Sequence, residues 1–89
     1  MARIVFTPNI QRYVECQPRD VSGSTLREVL EAALEGNERA RSYLFDDQGG
    51  VRKHIVIFVN GVQALDRTRL TDPVPPDAEI SVMQALSGG

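Results

Sequence analysis

The apolar positions of this chain alternate between two periods. Over Arg3–Thr7 every second residue is apolar on one side, with Ile4 and Phe6 on one face and Arg3, Val5 and Thr7 on the other, which predicts a strand. Pro8-Asn9 interrupts it, and Tyr13–Gln17 predicts a second short strand closing a hairpin around Pro8–Gln11. Pro18–Gly23 reads as loop. The period then changes: Leu26, Val29, Leu30, Ala33 and Leu34 form one stripe of a helix. Thr25 with Glu28 has the spacing of a capping box, Ser24 is a second candidate cap, and Gly36-Asn37 supplies a stop. Glu38–Phe45 predicts a short helix or turn with Ala40, Tyr43 and Leu44 inward, and Asp46–Gly50 a turn. His54–Val59 is β-branched and apolar on both faces, and Asn60-Gly61 is a strong hairpin signal leading into Val62–Leu65. Three prolines mark Asp66–Pro76 as loop, and Glu79–Gln84 alternates again as a last strand.

One helix with a single apolar stripe must cover one face of a sheet, which gives a two-layer α+β domain. The last strand is separated from the preceding hairpin by the long Asp66–Pro76 loop, so it is expected to return parallel to the first. That order is a β-grasp: a mixed sheet of four to five strands under one main helix, over residues 1–84, followed by a flexible tail at 85–89. If Ile4, Phe6, Ile55, Ile57, Val59, Ile80 and Val82 face the helix, parity sends Val5, Val56, Phe58, Ser81 and Met83 to the other side. With the first, third and last strands adjacent, Val5, Phe58 and Met83 form a candidate contact patch for a partner, unless Gly36–Lys53 folds over that face.

Composition removes most catalytic options. A single cysteine, Cys16, excludes an internal disulfide and a cysteine-built zinc site, and a single histidine, His54, argues against a histidine metal cluster or triad; no metal is expected. Ten Lys and Arg against twelve Asp and Glu leave a net charge of −2, and the basic residues are scattered, so no phosphate-binding stripe forms and no nucleic-acid partner is expected. The longest apolar run is Ile55–Val59, too short for a membrane span, and the first residues lack a signal-peptide core. A cytoplasmic protein without a membrane partner is expected.

The sequence ends Leu86-Ser87-Gly88-Gly89. Without Cβ atoms a Gly-Gly end is thin enough for a narrow tunnel. Five extended residues reach about 16–18 Å, and a terminal carboxyl with a reference pKa of about 3.3–3.7 is ionised at neutral pH. Together with the Leu26–Leu34 helix, the Ile55–Gly61 segment and the Asp77–Val82 segment, this end resembles the ubiquitin-like sulfur-carrier family, the MoaD/ThiS group, over nearly the whole chain. The extra stretch at Gly36–Lys53 is more similar to the MoaD and CysO branches than to ThiS. The end departs from the family's usual proline-preceded Val/Ala-x-Gly-Gly, reading Gln84-Ala85-Leu86-Ser87 instead.

The resemblance implies a protein that is a substrate and not an enzyme. A partner of the ubiquitin-activating type would adenylate Gly89, using ATP that it holds itself, and a sulfur donor would then replace AMP to give a thiocarboxylate. A sulfur-accepting biosynthetic enzyme would consume it. Leu86, Ser87 and Gly88 would enter the partner's tunnel, and no cofactor would be bound by the chain. Two alternatives share the look: a small subunit of a molybdopterin synthase, and a protein modifier joined through Gly89. Lys53 is the only lysine, so lysine-linked chains would be poor. Other side chains have competing readings. Cys16 is a small core residue or a persulfide carrier, His54 a solvated histidine, and Arg67 and Arg69 are loop charges or contacts to a partner's acids.

Overall fold

A computed structural model describes residues 1–84; the expected tail at 85–89 lies outside the described residues. The elements run β1 (Ala2–Phe6), α1 (Pro8–Gln11), β2 (Arg19–Val21), α2 (Leu26–Ala33), α3 (Glu38–Leu44), β3 (Ile55–Val59), β4 (Val62–Gln63) and β5 (Glu79–Gln84). The five strands form one mixed sheet in the order β2-β1-β5-β3-β4. β5 lies parallel to β1, with Ile4 opposite Ile80, and antiparallel to β3, with Ile57 opposite Val82. This is the β-grasp arrangement expected from the order of elements.

The N-terminal segment differs from its expected form. Pro8–Gln11 is a helical turn with Pro8 at its start, where a missing N–H costs nothing, and Ile10 is fully buried. Tyr13–Gln17 is not a strand; β1 pairs instead with Arg19–Val21, inside the stretch expected to be loop. The burial of Val14 and Cys16 accounts for the alternation that suggested a strand, because an irregular segment crossing the core edge buries the same positions.

Helix α2 forms where its stripe and its cap agree. Thr25 Oγ1 accepts from the Glu28 N–H, and Glu28 Oε1 accepts from the N–H groups of Thr25 and Ser24, a complete capping box. The Leu26 and Arg27 N–H groups donate to the Asp72 and Leu70 carbonyls of the proline-containing loop, so the helix start leaves none of its first donors unpaired. Leu26, Val29, Leu30 and Ala33 are buried against the even-numbered residues of β1 and β5 and the odd-numbered residues Ile55 and Ile57 of β3. Each large aliphatic side chain so buried stabilises the fold by about 1.5–3 kcal/mol. Short α3 adds Ala40 and Leu44 to the same core, with Tyr43 partly buried against it.

The Asp66–Pro76 loop is held by specific bonds. Asp66 accepts from the backbone of Thr68, Arg69 and Thr71 and from the Thr71 hydroxyl, which holds its carboxyl far below the usual range; the Thr71 hydroxyl is the largest cause. Leu70 and Val74 return to the core between its exposed prolines.

Candidate functional site

Two features of the fold meet at the C-terminal end of β5. The first is the sheet face opposite α2. The register places Ser81 between Val5 on β1 and Phe58 on β3, and Met83 beside Val56. Val5 and Phe58 are therefore two strand spacings apart, about 10 Å, and Met83 lies diagonal to both. Val5, Val56 and Phe58 are partly buried and Met83 is exposed, so the three expected residues form one apolar surface centred on β5. Arg3 and Asp20, paired across β1 and β2 at 3.5 Å, bring charge to the other end of that face.

The Gly36–Lys53 segment packs on the helix side, where Ala40, Leu44, Phe45 and Val51 join the core. That segment therefore does not fold over the apolar surface.

The second feature is a cluster around Gln84, the last residue described. Gln84 has the parity of Ile80 and Val82, so its side chain points to the helix side, away from Met83. There the Tyr43 hydroxyl donates to Gln84 Oε1 at 2.6 Å. The Tyr43 ring is stacked on Tyr13 with centroids 5.6 Å apart and meets the edge of His54 at 5.4 Å. Burial, and secondarily the neighbouring Tyr13, raise the Tyr43 phenol above its ordinary value, so it is a proton donor at neutral pH. His54 thus has an aromatic partner that the sequence did not suggest. Sequence reasoning singled out neither Gln84 nor Tyr13; the signal available was the parity of Gln84 with Ile80 and Val82.

The remaining candidates fall elsewhere. Cys16 is buried, and burial raises its thiol pKa, so at neutral pH it is a protonated thiol whose Sγ faces the Val14 carbonyl. Arg67 is a structural residue and not a free loop charge: one of its guanidinium nitrogens donates to the carbonyls of Arg52 and Ile55 at 2.7 and 2.6 Å. Arg69 is exposed. Leu86, Ser87, Gly88 and Gly89 lie outside the described residues. Among the described residues no three His, Cys, Asp or Glu side chains converge as a metal site, and no helix is long and apolar enough to cross a membrane.

The sequence matches no protein-family model and no curated protein. Solved structures match over the full chain. The crystal structure of SAMP1 from Haloferax volcanii superposes with a TM-score of 0.76 at 22% identity, covering 99% of this chain and 98% of that one. The solution structure of the small archaeal modifier protein 1 from Methanosarcina acetivorans gives 0.76 at 18% identity, covering 99% and 95%. A chain of the Amycolatopsis orientalis BexX/CysO complex gives 0.75 at 15% identity, covering all of both. At these identities the matches show a shared fold, the ubiquitin-like β-grasp.

Proposed function

We propose that this chain is a sulfur carrier that works through the carboxyl group of Gly89 as its terminus. The observation that supports the reading is the end-to-end β-grasp match to SAMP1 and to the BexX/CysO complex, in a chain whose sequence closes on Gly88-Gly89. In this mechanism a partner of the ubiquitin-activating type binds ATP and the carrier together. An oxygen of the ionised Gly89 carboxylate attacks the α-phosphorus, the bond to the β-phosphate oxygen breaks, and pyrophosphate leaves. Hydrosulfide then attacks the carbonyl carbon of the acyl adenylate, the C–O bond to AMP breaks, and the product is a thiocarboxylate with AMP as leaving group. The sulfur is next consumed by a biosynthetic enzyme.

The domain's part is presentation. Its open face, with Val5, Phe58 and Met83, supplies apolar area for the partner at the end of the molecule from which residues 85–89 continue. Docking there makes the encounter of carboxylate and phosphorus intramolecular, which is worth several kcal/mol of barrier. None of these steps needs a base, metal or cofactor from the chain.

The test is intact-mass measurement of the 89-residue chain incubated with ATP, sodium sulfide and the adenylating enzyme of the same organism. An increase of about 16 Da, oxygen replaced by sulfur, is expected, and it disappears on deletion of Gly88-Gly89. No mass change with the cognate enzyme overturns the proposal. A second reading, attachment of Gly89 to other proteins, draws on the modifier names of the SAMP1 neighbours. Denaturing blots showing higher-mass conjugates that require Gly89 support it.

A further inference from the structure

We infer that Tyr43 is a positioning residue for the chain's final segment: its hydroxyl, donated to Gln84 Oε1, fixes the residue from which residues 85–89 continue. The inference rests on the carrier reading for its functional consequence, but its structural content stands independently.

Gln84 is the end of the central strand β5, and its surroundings there are asymmetric. The pairing of β5 with β1 runs from Glu79 to Val82, and the Thr7 N–H takes the Val82 carbonyl. Beyond Val82 ladder pairing continues on one side only, with Val56 and Ile55 of β3, while α1 packs against β5 from the β1 side. A strand end held by one neighbour frays more readily than one held by two. The Tyr43–Gln84 bond adds a restraint from the helix side. At 2.6 Å it lies within the ordinary O–H···O range.

The donor itself is held. Tyr43 projects from α3, and its ring is fixed between the face of Tyr13, which follows α1, and His54, which precedes β3. Three separate chain segments therefore converge on one side chain, whose polar tip among the described residues meets Gln84. A surface tyrosine serving packing alone has no requirement for that acceptor. The consequence is that the reach of the final segment is counted from Gln84 and not from Val82. Freeing Met83 and Gln84 would lengthen the path from the paired strand to Gly89 by about 7 Å.

Amide hydrogen exchange and adenylation kinetics test this on the full chain. Tyr43→Phe removes the hydroxyl and keeps the ring. Exchange at Met83, whose amide faces β3, is expected to quicken about fivefold, the equivalent of one hydrogen bond of about 1 kcal/mol, while Ile57 and Ile80 stay unchanged. Gln84→Met is expected to do the same, Gln84→Glu, which keeps an acceptor, to behave as wild type, and the double variant Tyr43→Phe with Gln84→Met to add nothing further. In ATP–pyrophosphate exchange, KM for the carrier should rise severalfold at unchanged kcat in Tyr43→Phe and Gln84→Met but not in Gln84→Glu. Unchanged exchange at Met83, or acceleration spread evenly over the core, overturns the brace. A changed exchange pattern with unaltered KM overturns its positioning role. A wild-type chain that is never adenylated sinks the carrier reading, while the amide measurement still decides the brace.

Discussion

Asn60 and Glu79 exchange two hydrogen bonds. The Asn60 N–H donates to the Glu79 carbonyl at 2.8 Å, and the Glu79 N–H donates to Asn60 Oδ1 at 2.9 Å. The β3–β4 turn is thereby tied to the start of β5. Asn60 has φ +51, a conformation that asparagine tolerates better than most residues. Two of the segments that carried the family resemblance, Ile55–Gly61 and Asp77–Val82, meet at this contact.

Asn60→Ala is expected to destabilise by about 2–3 kcal/mol, combining the lost side-chain bond with a Cβ residue at positive φ. Asn60→Gly is expected to lose only about 1 kcal/mol, because glycine accepts the backbone angle. Urea denaturation of the two variants gives the order. An equal loss in both shows that the backbone angle contributes nothing.

Arg27 joins two loops to α2. It donates to the carbonyls of Gly49, Thr68 and Arg69, pairs with Glu31, and lies over the Phe45 ring at 5.3 Å. A lysine ammonium cannot match that planar fork. Arg27→Lys is therefore expected to lower stability by about 1–3 kcal/mol, read as a drop in the urea midpoint. A lysine variant as stable as wild type shows that charge alone suffices.

Acid should weaken the fold through carboxylates that are better solvated by the native structure than by the unfolded chain. Asp66 is lowered mainly by the Thr71 hydroxyl, Glu31 mainly by its hydrogen bond to Arg41, and Glu28 mainly by the Ser24 backbone. A native pKa below the unfolded one gives stability that is present above the unfolded value near 4 and lost as pH falls. The urea midpoint should therefore decline from about pH 5 downward. In Asp66→Asn the neutral-pH midpoint drops and the acid decline becomes shallower. An unaltered slope in that variant shows that Asp66 does not contribute to it.

Met83→Lys tests the open face. Met83 is exposed on a central strand, so the melting temperature should move by no more than a few degrees. If the face docks the adenylating enzyme, calorimetric titration shows affinity reduced by about tenfold. Unchanged binding removes this face from the interface.

The elements legible in the sequence are those whose cause is local. The capping box at Thr25 and Glu28, the stripe from Leu26 to Leu34, the Asn60-Gly61 turn and the alternation of β5 each need only neighbours within a few positions. The side of the sheet on which Val5, Phe58 and Met83 fall follows from the same period of two. Strand β2 was missed because Arg19-Asp20-Val21 has no strand pattern of its own and exists by pairing with Ala2–Ile4.

Hydrophobic period, turn chemistry and capping, all short-range, were enough to determine the helix, the principal strands, the inward face and the resemblance of the whole. Tertiary structure alone decided which segment took the sheet edge beside β1, that Gly36–Lys53 packs with the core, and that Tyr13, Tyr43 and His54 meet at Gln84. Those outcomes depend on residues tens of positions apart competing for the same surface. Contacts of that kind leave no periodic trace along the chain.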